Sequence, residues 1–219
     1  MDALLNPIFI TDLVVLIFSA ILHEIAHGYV ADRLGDPTAR LLGRLTLDPR
    51  PHIDPIMTLA LPILLVLSGS PVIFGGAKPV PVDPFNLRDG RKDLALVSLC
   101  GPLTNIILAI IAGLLLKLLL PTLLQQSFFV AAFTFLLHEI LKINLLLAIF
   151  NLLPIPPLDG SKVFSLLLPE AEANSYLSLG NFGVLILFFL LAFPLGSFSL
   201  SGLISNIFTF TYGLFGLPM

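Results

Sequence analysis

Residues 7–31 read PIFITDLVVLIFSAILHEIAHGYVA. The stretch is almost wholly apolar as far as Leu22. It exceeds the roughly 20 residues that a helix needs to cross a hydrocarbon core of about 30 Å. It is not a signal peptide: it has no basic n-region and no small-residue cleavage site, and it runs on into charged sequence. The remainder of the chain has the same character. Its 219 residues are 57% hydrophobic and 11% charged, where an ordinary soluble domain has about 45–50% and about 25%. Phenylalanine accounts for 18 of them, and the mean hydropathy of +1.01 leaves no long polar tract to offset the apolar ones. This balance excludes disorder, collagen, coiled coil and nucleic-acid binding. The single cysteine, Cys100, rules out an intrachain disulfide or a Cys-rich metal cluster. The chain reads as an all-α polytopic membrane protein, a single integral membrane domain over residues 1–219.

Five further apolar stretches follow: residues 56–67, 94–120, 128–153, 176–193 and 198–217. Together with the first they predict five to six transmembrane helices. The count turns on residues 56–67, which are short and interrupted by Pro62. Eight of the 11 Lys and Arg residues lie on either side of this piece. Arg33, Arg40, Arg44 and Arg50 precede it; Lys78, Arg88, Arg91 and Lys92 follow it. If it crossed the bilayer, equal positive charge would face both sides and the positive-inside rule would give no orientation. The reading adopted is a dip and return, with both basic stretches on the cytoplasmic face and the N-terminus outside.

Inside the first span sits His23-Glu24-Ile25-Ala26-His27. Helical spacing puts His23 and His27 one turn apart on one face, where both imidazoles can converge on one ion. Glu24 projects about 100° further round the axis, within reach of a water held by that ion. Two histidines need a third protein ligand and leave a fourth position open for water, the pattern of a zinc hydrolase. The bland alternative is a surface helix with chance spacing. Location decides against it, because an ionised carboxylate near the bilayer centre costs about 2.5–3.5 kcal/mol on insertion scales and is retained for function.

The third ligand should be a buried acid or histidine that the apolar pattern does not explain. His52 lies in the basic loop and His138 beside a charged pair. Asp159 stands out within NLLPIPPLDG at 151–160. Pro154, Pro156 and Pro157 break backbone hydrogen bonding there, and irregular backbone at membrane depth is tolerated only where protein buries it or it lines a cavity. Gly160 lets the chain turn directly after the acid. For Asp159 to meet the histidines, an odd number of crossings must separate the two segments. Residues 94–120 supply one, so the ligand geometry also requires 56–67 to dip and return.

The motifs HEIAH at 23–27, GPLTN at 101–105 and NLLPIPPLDG at 151–160 resemble the site-2 protease family of intramembrane zinc endopeptidases. The stretches 35–55 and 74–88 resemble a compact prokaryotic branch of it without a PDZ domain. The resemblance covers residues 8–168, the catalytic core, and leaves residues 176–217 as C-terminal membrane helices. It implies one Zn2+ per chain, bound by His23, His27 and Asp159, with Glu24 as general base. It also implies that Asn151 holds the substrate strand or the reacting carbonyl, and that the substrate is a transmembrane protein or signal peptide in the bilayer of the cell membrane. The site would lie nearer the cytoplasm.

A transmembrane substrate hides its peptide bonds in its own helix and must be held extended before hydrolysis. Residues 43–48, GRLTLD, alternate polar and apolar, which is a short strand signal. On the residues alone a simple interfacial loop fits equally well; the resemblance favours Arg44, Leu45 and Thr46 in a re-entrant loop or short β-hairpin after the HExxH helix, offering an edge to the substrate. Asn105 is expected in the packing around the metal helices, its amide able to donate toward a reacting carbonyl. His138, Glu139 and Lys142 read as a polar helix start near the outer interface, and Asp83, Asp89 and Asp93 as a solvated loop. Lys162 reads as an interface marker. Two other function classes compete: a transporter using the acids and histidines as a relay, and a silent scaffold. A relay does not require HExxH with a distant Pro-flanked Asp, and a scaffold would not require Glu24.

Overall fold

The computed structural model describes residues 6–67, 75–119, 127–197 and 199–218, and among them it is helical with no strand. Helix α1, Pro7–Leu34, is started by Asn6, whose side chain accepts from the Ile8 amide, with Pro7 at the first helical position. It ends at Gly35, whose φ of 118° lies in the left-handed region where a side chain is strained. The amides of Gly35 and Asp36 turn back onto the Asp32 and Ala31 carbonyls. Helices α4, Gly90–Leu119, and α5, Phe128–Leu152, are also long and apolar enough to cross a membrane, which makes three. Apolar side chains such as Ile10, Val14, Phe18, Ile107, Ile111, Leu114 and Phe133 stay about half exposed on them. In water such a surface would be a large uncovered patch; on a membrane protein it meets lipid.

The chain forms two compact units, Met1–Asn105 and Ile106–Met219. The first holds α1, α2 (Thr38–Leu41), α3 (Leu61–Leu67) and the start of α4. One of its cores gathers Ala31, Leu87 and Val97 with Val30, Leu34, Val82 and Leu94. The second holds the rest of α4, α5, α6 (Asp159–Phe164), α7 (Glu170–Ser178), α8 (Gly180–Ala192) and α9 (Leu200–Phe215). Its main core packs Ala109, Ala112 and Leu116 against Leu137, Leu141, Leu145, Ile149 and Tyr212. Gly113 is required there by close approach, since a Cβ would come 2.5 Å from the Phe215 ring.

Several sequence expectations change. Residues 43–48 form bends instead of a strand. The cause is local competition for the backbone: the Arg44 amide bonds to the Ala39 carbonyl, and His52 takes the Thr46 carbonyl at 2.9 Å. Residues 56–67 are helical, with π-helix at Pro55–Ala60 running into α3. From 56 to 67 that is roughly 20 Å, less than the hydrocarbon core. Residues 68–74, which follow the piece expected to dip and return, lie outside the described ones. The stretch 176–193 is not one span but breaks at Leu179 between α7 and the 13-residue α8. His138, Glu139 and Lys142 sit well inside α5, not at its start. Glu139 is buried and ion-paired to Lys142, and Tyr212 Oη donates to His138 Nε2 at 3.0 Å. Asp93 is buried, not solvated, and accepts from the Asp89 amide at the start of α4.

Asp36 fixes the exit of α1. It is fully buried and accepts from the Thr38 amide and hydroxyl, the Asp83 amide and the Asn86 side chain. Burial pushes its pKa up, but the bonds from Thr38, Asn86 and Asp83 outweigh it, and the pKa lies below the ordinary 3.8. Its contribution to stability is therefore complete above that ordinary value and is lost as pH falls through the lowered one. Asp36→Ala strands these donors and is expected to cost about 3 kcal/mol, read as a lower melting temperature at pH 7. The gap between wild type and variant should narrow in strong acid; a gap independent of pH would refute the assignment.

Candidate metal centre

His23 and His27 lie on one face of α1, both buried, with ring centroids 4.6 Å apart and planes at 87°. Each ring is oriented from α4. His23 Nδ1 donates to Asn105 Oδ1 at 2.5 Å, and His27 Nδ1 donates to the Val97 carbonyl at 2.7 Å. A carbonyl oxygen can only accept, so these bonds place the ring proton on Nδ1 and turn both Nε2 lone pairs inward. The two Nε2 atoms stand 3.0 Å apart. Two acceptors so close repel each other, and a cation shared between them removes that cost. The donor set, two imidazole nitrogens fixed by acceptors behind them, is that of a zinc site.

The floor of this pair is Gly101. A Cβ there would come 2.5 Å from Nε2 of both His23 and His27, a separation that no packed side chain tolerates. Pro102 follows inside α4 and carries no N–H to continue the helix ladder. The GPLTN motif thus contributes an absent side chain at Gly101 and a ring-orienting amide at Asn105.

Glu24 is served from a different direction. Its Oε2 accepts from the Val80 amide at 2.7 Å. Gly28, one turn on, is the close-approach point of the same face. A Cβ there would lie 2.7 Å from Leu45 Cδ2 and 2.9 Å from both the Ala39 Cβ and Val80 Cγ1. Leu45 is thus packed beside the HEIAH helix. Arg44 is buried, its guanidinium donating to the Lys78 and Pro79 carbonyls. Thr46 Oγ1 accepts from the Asp48 amide.

In the second unit Asp159 opens α6 and is buried, with Oδ1 accepting from Lys162 Nζ at 3.1 Å. Lys162 is therefore a partner of the acid, not only a marker of the interface. Gly160 is needed for space, not for a left-handed turn: a Cβ would come 2.3 Å from the Leu152 carbonyl oxygen. The prolines are accommodated by local turns, with the Leu158 amide on the Ile155 carbonyl and Tyr176 Oη on the Pro154 carbonyl at 2.8 Å. Asn151 donates to the Leu147 carbonyl within α5, and the fully buried Asn144 does the same to Ile140.

Sequence reasoning missed Gly101, the Val97 carbonyl and the Val80 amide. The first had a signal in the Gly-Pro pair. The other two are backbone groups, which every residue carries and no motif marks.

Comparison with known proteins agrees with this chemistry. The family model of peptidase family M50 matches residues 122–193. YwhC of Bacillus subtilis, named as a candidate zinc metalloprotease, is 38% identical over 191 residues, 85% of this chain and 82% of its own. Rip2 of Mycobacterium tuberculosis, similarly named, is 35% identical over 142 residues, 65% of this chain, which spans about half (51%) of Rip2. A relative from Methanocaldococcus jannaschii is 36% identical over 101 residues, 46% of this chain and 47% of its own. No solved structure matches the chain. Buried histidines oriented for a cation, on a helix fit for a membrane, thus coincide with extended similarity to named zinc metalloproteases, and the chain belongs to peptidase family M50, the site-2 protease family.

Proposed function

We propose that this membrane zinc metalloprotease hydrolyses peptide bonds within or near the transmembrane segments of membrane proteins or signal peptides. The observation that carries the reading is the buried, inward-facing Nε2 pair of His23 and His27, set by Asn105 and Val97. Asp159 is the third ligand: it is a buried acid at the start of α6, in a chain where buried acids are few. Zinc, when bound, supplies Lewis acidity and a water acidic enough to ionise near pH 7. Glu24 receives the proton of the attacking water at its carboxylate and returns it to the leaving amine. Its Oε2 is engaged by Val80, which leaves Oε1 as the proton acceptor. Asn151, Leu45 and Thr46 each contact the extended substrate. The protein lies in the cell membrane as a multi-pass chain, with the site nearer the cytoplasmic face.

The test uses the purified chain in lipid vesicles with a transmembrane test peptide. Cleavage should stop on chelation and return with zinc, at about one zinc per chain. Cleavage that survives complete metal removal would refute the reading, and a chain that binds no zinc would favour the relay.

A further inference from the structure

Residues 75–83 run along α1 without regular secondary structure, yet their backbone is pinned at every step from Gly76 to Val80 except one. The Gly76 carbonyl accepts from Thr58 Oγ1 at 2.6 Å. The Lys78 amide donates to the His52 carbonyl at 2.7 Å. The Lys78 and Pro79 carbonyls accept from the Arg44 guanidinium at 2.7 and 3.2 Å. Then the Val80 amide donates to Glu24 Oε2. Val80 stands between Pro79 and Pro81, neither of which has an N–H. Between residues 79 and 81 there is thus a single amide donor, on backbone stiffened from both sides, and it is aimed at the carboxylate. Val80 is itself buried against Gly28, one turn beyond Glu24.

From this we infer that the Lys78–Val80 strap positions the general base: the Val80 amide holds Glu24 Oε2, and Arg44 holds the strap. Arg44 is accordingly a positioning residue that acts through Pro79 and Val80, not a substrate contact. A carboxylate on three rotatable bonds is placed for proton transfer only if something fixes its rotation, and an N–H on one oxygen leaves the other facing its task. Both bonds leave one nitrogen of Arg44, Nη2, which ties two successive carbonyls of the strap to a single anchored side chain. The inference rests on Glu24 being the base.

The test replaces Val80 with α-hydroxyvaline in the full chain, which exchanges the N–H for an ester oxygen and keeps the side chain. The expected result is a fall in kcat of about 100-fold, the scale of a 1 Å misplacement, with KM and zinc content retained. The carboxylate infrared band of Glu24, identified by difference against Glu24→Gln, should shift. Arg44→Ala should lower kcat in the same sense with zinc retained, and Arg44→Lys should recover part of the loss. An ester variant with wild-type kcat and an unmoved band would overturn the inference. So would Arg44→Ala raising KM alone, because that places Arg44 on the substrate. If Glu24→Gln itself keeps full activity, the base assignment fails first, and that outcome is distinct from an active ester beside an inactive Glu24→Gln.

Discussion

Glu24→Gln should slow cleavage of a membrane-spanning substrate by about 10²- to 10⁴-fold while the chain keeps its zinc. Glutamine has the size of glutamate, and its Oε1 can accept the Val80 amide that now goes to the carboxylate. The imidazoles keep their orientation, because Asn105 and Val97 set it from α4 and not from Glu24. What is lost is the ability to take a proton. General-base removal costs about 10²- to 10⁴-fold in rate, so kcat should fall by that factor with KM little changed. Metal analysis of the purified variant separates this from site collapse. Full activity in Glu24→Gln would exclude the proposed mechanism.

Gly101→Ala is the second large effect, and it divides two properties that usually fall together. Within a helix, alanine is favoured over glycine by about 1 kcal/mol, so α4 should not weaken for reasons of propensity. The new methyl group, however, has no room, with both Nε2 atoms 2.5 Å from its carbon. The imidazoles must swing away, and the Nδ1 bonds that orient them must stretch or break. Loss of such orienting contacts costs about 10- to 100-fold in metal affinity, and direct displacement of both ligands should reach at least the upper figure. A zinc-competition titration reads the affinity and a thermal melt of the metal-free chain reads the fold. Cys100→Ala, one residue earlier and turned to a different face, is the control. Zinc affinity unchanged in Gly101→Ala would mean that α4 does not floor the histidine pair.

The membrane class, the HEIAH helix and the burial of Asp159 were legible in the residues because charge is so scarce here that each buried exception stands out. The first long helix was visible from Pro7 onward, and its end is set by Gly35, whose φ of 118° a side chain would oppose. The strand expected at residues 43–48 was not found, since alternation of polar and apolar residues cannot reveal that Arg44, Ala39 and His52 claim that backbone for bends. The polar trio at 138–142 was misplaced because a salt-bridged Glu139–Lys142 pair can sit inside a helix, where its charges offset one another.

By itself the sequence determined which solvent the protein lives in and singled out the side chains proposed for its chemistry. Both follow from composition and from the 3.6-residue period, which are local properties of the chain. Only the tertiary structure decided how that chemistry is held. Asn105 and Val97 choose the histidine tautomers, Gly101 leaves the space, and Val80 reaches Glu24 across 56 positions of sequence. Two of these contacts are made by backbone groups and one by an absent side chain. Such groups are common to all residues or to none, so their role exists only where the fold brings them together.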